Sequence, residues 1–403
     1  MAPTRREALA AGAFLLPSPA QAAEVAGAFD VAVIGAGVFG AWTALELRRR
    51  GLRAVLVDAY GIGHARASSG GESRVIRISY GGDPLYSDMA RSSLRAWRTL
   101  SAKLDQPVFH PTGVLWFSPK ADAYMAKSLT FLETARLPHR SLDTGAMRAA
   151  YPQMRFDDGE AGFLEIETGA LIAGRGVQAA AKASGATFVQ RAIGAPKQTS
   201  AGAYDLGDGL RARHLVYACG PWLAKIFPDI LRGRIVATRQ EVLHFGAPAG
   251  DARFAMPNLP VWADFNAGEI VYGLPDLEGQ GFKMAFDAHG PEIDPDLQER
   301  VVSPETITRA RAYLARRFPD LAHAPLVHAR VCQYENSSNG DLLIDRLPGH
   351  ERVWLVGAGS GHGFKHGPAV GARVARHVAD PAYPIEPRFS LAAKEVVARR
   401  TVY

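Results

Sequence analysis

The sequence has very little cysteine. Cys219 and Cys332 are the only two thiols in 403 residues, too few for a disulfide-built scaffold or a four-thiolate zinc site. Long apolar runs are missing as well. The stretch from Ala8 to Leu16 falls far short of the roughly 20 residues that span a bilayer, and no other segment is long and apolar enough to be a membrane helix. Charge of one sign is scarce: 46 Lys and Arg stand against 40 Asp and Glu, a formal surplus of +6. No dense basic stripe marks a nucleic-acid surface. An apolar share of 47% excludes a disordered chain. At roughly 100–200 residues per domain, the length suits two domains or one large interleaved unit. Glycine is plentiful, with 41 residues, and it permits tight turns and close backbone approach. Where it clusters therefore matters.

Residues 1–22 have the layout of a cleaved export signal. Arg5 and Arg6 precede the apolar stretch, and Pro17, Ser18 and Pro19 lead into Ala20-Gln21-Ala22, an A-x-A end. The paired arginines after Thr4 fit a twin-arginine signal, with Ala8 where the usual pattern has Phe and with Leu9 in place. Cleavage after Ala22 removes two Arg and one Glu and takes the charge from +6 to +5. That pathway exports folded proteins, so a periplasmic location and a cofactor site downstream are expected. A cytoplasmic location is the alternative.

The first glycine cluster supplies such a site. Phe29 to Ile34 reads as an apolar strand running into Gly35-x-Gly37-x-x-Gly40, followed by a helix-like segment from Ala41 to Arg50 and a second strand, Ala54 to Asp58. A lone G-x-G-x-x-G is weak, but strand, helix and terminal acid in one βαβ unit of about 30 residues make a dinucleotide fingerprint. Gly35 allows the turn, Gly37 admits a pyrophosphate, and Gly40 lets helix and strand pack closely, with the helix N-terminus facing the phosphates. Asp58 is placed to accept from ribose hydroxyls. The motif alone does not separate NAD from FAD. After it, the small polar loop 67–73 can lie against an extended cofactor, and Arg74 and Arg77 then enter an apolar run.

Several motifs in order now carry a resemblance. Ser68-Ser69-Gly-Gly-Glu-Ser-Arg74-Val-Ile-Arg77, Tyr272-Gly-Leu-Pro275, Gly281-Phe-Lys283, Cys332-Gln-Tyr334 and Gly361-His362-Gly363-Phe-Lys365 are similar to the monomeric sarcosine oxidase and N-methyltryptophan oxidase branch of the D-amino-acid-oxidase-like flavoproteins. The resemblance runs from about Phe29 to about Asp380. It implies an α/β (mixed α+β) fold, with a Rossmann-like FAD-binding domain (29–109, 168–236 and 338–385) interleaved with a substrate domain (110–167 and 237–337) on a mostly antiparallel sheet. Ala179–Ser184 reads as helix, and His214–Gly220, Gly113–Phe117 and Glu269–Tyr272 as strands.

The resemblance also implies roles. Cys332 matches the cysteine that carries FAD as a thioether. Lys283 matches a lysine over the flavin, where a fixed positive charge stabilises negative charge developing on dioxygen. Arg77 and Lys365 match the pair that holds a substrate carboxylate through charge-assisted hydrogen bonds. Arg74 matches a flavin-facing arginine, and Tyr272 and Tyr334 match pocket aromatics. Val353–Gly357 reads as a strand entering a turn with Gly357, Gly359, Gly361 and Gly363. A helix from about Gly367 to Val378 follows, its N-terminus directed at the flavin. Cys219 matches no catalytic position, and a Cys219–Cys332 disulfide is not expected, since the two fall in different environments. The chain departs from the sarcosine-oxidising pattern at Gly70 and Asp287, both histidine there. This puts sarcosine itself in doubt and leaves room for a substrate with a second cationic group.

The function expected is FAD-dependent oxidation of a secondary amine or N-methyl amino acid by a monomer, with dioxygen as acceptor and hydrogen peroxide as product. The partners expected are a small amine carrying a carboxylate and dioxygen, with no nucleic acid, no membrane span and no metal. The rivals are an amine dehydrogenase using another acceptor, a fructosyl-amine or cyclic imino-acid oxidase, and a non-catalytic flavin-binding interaction protein.

Overall fold

The β-branched runs that open the described residues build the first layer. Ala28–Ile34 and Ala54–Asp58 pair in parallel, and the second is buried along its whole length. That is how a strand reads when both faces of its sheet are covered. In the computed structural model, which describes residues 28–396 except 120–121, 200–201, 267–269 and 289, these two strands are the centre of a seven-stranded sheet. Its order is Leu343–Arg346, Val353–Gly357, Arg211–Tyr217, Ala28–Ile34, Ala54–Asp58 and Thr187–Gln190, with Tyr204–Asp205 also paired to Arg211–Tyr217. Leu343–Arg346 and Tyr204–Asp205 run antiparallel to their neighbours, and the other pairings are parallel. The expected export segment 1–22 lies outside the described residues.

Helix Val38–Arg49 covers this sheet and packs against helices Ala173–Ser184 and Gly367–Ala379. Gly371 makes the second contact close: a Cβ there would lie 2.6 Å from the Trp42 carbonyl carbon.

The second layer is an eight-stranded sheet, ordered Leu326–Ser337, Ile235–Phe245, Phe282–Phe286, Val271–Leu274, Val261–Asp264, Val114–Pro119, Glu160–Glu165 and His139–Asp143. Every pairing is antiparallel except that of Val114–Pro119 with Val261–Asp264. Leu243, Phe245, Phe282, Met284 and Val331 pack in one apolar cluster with Ala310, Tyr313 and Leu314 of helix Pro304–Arg317. Alternation then sends the intervening residues to the opposite face. A small antiparallel sheet, Ser73–Ile76, Gly169–Ile172 and Phe109–His110, completes the frame. The chain therefore adopts the mixed α/β class expected from the sequence. Among the described residues, no helix is long and apolar enough to cross a membrane.

Candidate active site

Two adjoining cavities share Ser68, Arg74, Tyr334, Gly361 and Phe364. The larger, about 550 Å³, is a cleft along the ends of the parallel strands, where ligands of open α/β sheets bind. Of the expected cofactor residues, Gly35, Gly37, Asp58, Ser68, Ser69, Arg74, Gly359, Gly361 and Gly363 line it. Gly40 does not, because it serves packing: a Cβ there would lie 1.8 Å from the Gly35 carbonyl oxygen. Gly35 itself has φ +101°, in the region that favours glycine.

Asp58 ends its strand with both carboxylate oxygens engaged. Oδ2 accepts from Ala36 N at 2.8 Å, and Oδ1 accepts from Tyr60 N at 2.8 Å and Gly61 N at 3.0 Å. A carboxylate offers about four lone-pair sites, so one remains for a ribose hydroxyl. Ser69 Oγ accepts from Val38 N at 3.0 Å, at the start of the first helix. Ser68 Oγ is buried with no hydrogen-bond partner among the described residues. The cleft therefore offers a polar atom that awaits a ligand.

The far wall is the glycine-rich turn after Val353–Gly357. Ala358, Ser360 and Gly361 all have positive φ, and Glu335 holds the turn: its Oε2 accepts from Ala358 N at 2.7 Å and its carbonyl accepts from Ser360 N at 2.8 Å. Burial pushes the Glu335 carboxyl up to about 7. Gly357 is required by this side chain, since a Cβ there would lie 2.5 Å from Glu335 Oε1. The helix Gly367–Ala379 begins only after a single tight turn, Phe364–His366.

The smaller cavity, about 130 Å³, gathers Lys283, Arg77, Lys365, Arg74, Tyr272 and Tyr334 together with Cys332, His362 and Asp287. Sheet register explains much of this. Thr238 pairs with Tyr334, Gln240 with Cys332, Val242 with Arg330 and His244 with both His328 and Lys283. These residues share one face, opposite the apolar cluster. Cys332 is partly buried and Cys219 lines the cofactor cleft; both are free thiols. Lys283 is buried, and its Nζ donates to the Ser73 carbonyl at 2.6 Å. Burial, with Arg74 beside it, pushes its ammonium down to about 7. Burial and then the Asp287 carboxylate push Tyr272 up to about 12.

Arg77 donates to the Ser79 carbonyl and, at 3.1 Å, to Tyr124 Oη. Its guanidinium lies 4.0 Å from the Tyr80 ring centroid. Lys365 Nζ donates to Tyr80 Oη at 3.0 Å and to the His362 carbonyl at 2.8 Å. Burial, followed by the charge of Arg77, holds Lys365 well below the usual lysine range. Two cations thus stand around Tyr80 at one end of the cavity, where a carboxylate would relieve both. The space that Gly70 opens is filled by this protein itself. A Cβ at Gly70 would lie 2.7 Å from Arg330 Nη2, and one at Gly71 3.4 Å from Arg330 Cζ.

The model for DAO, described as FAD dependent oxidoreductase, matches residues 30–377. The chain belongs to the DAO family of FAD-dependent oxidoreductases. Within this family it is 28% identical over 359 residues to the monomeric sarcosine oxidase of Bacillus sp. (strain B-0618), covering 85% of this chain and 90% of that one. It is 26% identical over 359 residues to the N-methyl-L-tryptophan oxidase of Salmonella heidelberg (strain SL476), covering 85% and 92%. The fold superposes on NikD, an amino acid oxidase essential for nikkomycin biosynthesis, with TM-score 0.75 at 19% identity, covering 90% of this chain and 97% of that one.

The residues present fit the cofactor of a DAO-family flavoenzyme: the glycines that line the cleft, the remaining acceptor site of Asp58 and the unpartnered Ser68 hydroxyl suit a dinucleotide. Sequence reasoning missed Glu335, Glu72, His244, His328, Arg330 and Gln240. For Gln240, His244, His328 and Arg330 period-two alternation was the available signal, since His328-x-Arg330-x-Cys332-x-Tyr334 and Thr238-x-Gln240-x-Val242-x-His244 set mostly polar residues on one face of long strands; Glu335 falls on the other face and Glu72 lies in a loop.

Proposed function

We propose that the protein is an FAD-dependent oxidase of a small secondary amine or N-methyl amino acid carrying a carboxylate. The observation that carries this reading is the joining of the cofactor cleft to a small cavity lined by Lys283 and Cys332 and by the cationic pair Arg77 and Lys365. Bound FAD supplies a hydride acceptor for the C–H bond beside the substrate nitrogen. Arg77 and Lys365 hold the carboxylate and so fix that C–H bond. The buried cations around the cavity favour the unprotonated amine, whose lone pair assists hydride loss. The imine product hydrolyses in water. In this reading Lys283 stabilises negative charge on dioxygen as peroxide forms, and Cys332, which lines the same cavity, anchors the flavin. The names of the two curated relatives support the substrate class, and Asp287 supports a substrate with a second cationic group.

A peroxide-coupled screen of N-methyl, cyclic and cationic amino acids under air tests this. Peroxide with at least one N-alkyl amino acid is the expected result. Flavin reduction by amines without peroxide under air would assign the dehydrogenase reading instead. We further read the enzyme as a monomer exported through its twin-arginine segment.

A further inference from the structure

Behind Lys283 lies a cluster that the reaction as described does not use. Glu72 is its centre. Its Oε1 lies 3.3 Å from His328 Nε2 and 3.4 Å from Arg330 Nη1, and its Oε2 lies 3.8 Å from His244 Nε2. The two imidazole centroids are 5.3 Å apart. His244 stands directly opposite Lys283 across the strand pair, so both side chains rise from the same face. The backbone ties the ends together as well, because Lys283 Nζ donates to the carbonyl of Ser73, the residue after Glu72. Exposure is graded along the cluster: the side chains of His328, Glu72 and His244 are 46%, 21% and 1% exposed. The series therefore runs from solvent to the buried amine.

We propose that His328, Glu72 and His244 form a proton path between solvent and Lys283 Nζ, with Glu72 as its hub and counter-ion. The inference rests on the oxidase reading, in which Lys283 must carry a charge while dioxygen takes up electrons and protons. A proton taken up from solvent at His328 Nε2 is passed by the Glu72 carboxylate and the His244 ring and arrives on the Lys283 amine. One N–H bond breaks at the surface, one forms at the buried end, and no electrons move. The 3.8 Å between Glu72 Oε2 and His244 Nε2 exceeds a hydrogen bond, and neither ring nitrogen of His244 has a hydrogen-bond partner among the described residues, so the uncommitted ring closes this leg by a small rotation.

The charges around the path suit it. Lys283 faces Arg74 from the short strand, Glu72 from the loop before it, His244 from its neighbour strand, and Cys332 and Arg330 from the next strand out. Burial and Arg74 drive the proton off Lys283, and Glu72 is the one carboxylate among these groups that holds it on. Burial raises the Glu72 carboxyl, but Arg330 and Lys283 outweigh this and keep it below the usual range. Burial, with Lys283 adjacent, pushes His244 down to about 4, so its ring is neutral near pH 7 and can both accept and donate. Arg330, lying over Gly70 and Gly71, fixes the Glu72 carboxylate in place.

Two readouts on the holoenzyme test the path without knowing the amine. The first is the titration of Lys283 by NMR of protein labelled with 13C at lysine Cε, assigned with Lys283→Met. The second is the pH profile of reoxidation by dioxygen after reduction with dithionite. In the wild type, both should share a midpoint well below that of an ordinary lysine, with the rate falling on the alkaline side. Glu72→Gln should lower both midpoints by about one pH unit, as expected for losing an opposite charge at this range. Above the midpoint the rate then drops about tenfold, and Glu72→Asp should restore most of it. His328→Ala should leave the NMR midpoint nearly unchanged but slow reoxidation, with added imidazole restoring the rate. Midpoints unmoved by Glu72→Gln, or a His328→Ala rate equal to wild type, overturn the proposal. Wild-type reoxidation no faster than that of free reduced flavin overturns the oxidase reading instead, and the lysine titration still reads the effect of Glu72 on its own.

Discussion

At the residue scale, the proposed reaction with dioxygen turns on the amine of Lys283. Lys283 is buried at 3% exposure, yet among the described residues its hydrogen bond goes to a backbone carbonyl, with Arg74 nearby and Glu72 not in direct contact. A structural lysine would have a carboxylate partner in direct contact. This placement suits a charge kept for a reacting molecule. Lys283→Met should therefore slow reoxidation by dioxygen about 10²-fold or more while leaving anaerobic reduction by amine largely intact. Stopped-flow measurement of the two half-reactions checks this, and equal reoxidation rates would remove Lys283 from its role. Cys332 is a second single-atom question. Its thiol is free to bond, whereas Cys219 lines the cofactor cleft with its thiol against the Ile34 carbonyl at 3.4 Å. Flavin fluorescence should travel with the wild-type chain on a denaturing gel and be lost in Cys332→Ser. Flavin that washes out of the wild type in acid would refute the covalent link.

At the scale of elements, sequence pattern and tertiary context divide the work. The dinucleotide unit was legible because its glycines, its β-branched strands and its terminal acid answer to local rules: the second strand is Ala54–Asp58 as expected, and the helix is Val38–Arg49. The helix-like stretch at 179–184 proved to be the end of Ala173–Ser184, and the run expected as strand over 269–272 is strand from Val271 to Leu274, with Glu269 outside the described residues. The polar wall of the small cavity was harder to read, since it depends on the register of strands distant in sequence. His244 and Lys283 become neighbours only through pairing. The same holds for Arg317 at the end of helix Pro304–Arg317, which is buried 2.9 Å from both Glu160 and Asp264, with Tyr313 Oη donating to Asp264 at 2.8 Å. Removing the cation leaves two buried carboxylates uncompensated. Arg317→Met should therefore destabilise the protein by about 3–5 kcal/mol, read as a shift in the urea midpoint. A loss under about 1 kcal/mol, typical of exposed pairs, would show that these carboxylates are solvated.

Taken as a whole molecule, the cofactor cleft is assembled from distant parts of the chain. Its walls come from Ile34–Phe39, Asp58–Arg74, Arg191–Ala195, Ala218–Ile226, Tyr334–Glu335 and Gly359–Phe364. Asp296, from the other layer, reaches over to it: its carboxylate accepts from Trp222 Nε1 at 2.8 Å, from Tyr60 Oη at 3.1 Å and from Lys225 Nζ at 2.6 Å. No fragment emerging during synthesis contains the site, so the dinucleotide can enter only after nearly the whole chain has folded. An export route that threads unfolded chain would undo that assembly and strand the protein where free FAD is scarce. A route for folded cargo would meet the requirement, and under the proposed export reading Arg5-Arg6 ahead of a short apolar stretch would be its address. Replacing both arginines by lysine keeps the charge and removes the paired guanidinium groups. That variant should accumulate in the cytoplasm as a full-length, flavin-loaded and catalytically competent protein, whereas wild type should appear in the periplasm lacking residues 1–22. Cell fractionation with flavin absorbance and N-terminal sequencing reads both. A lysine pair exported as well as wild type, or wild type retaining Met1 in the cytoplasm, would reassign the segment as an ordinary N-terminal tail and the enzyme to the cytoplasm.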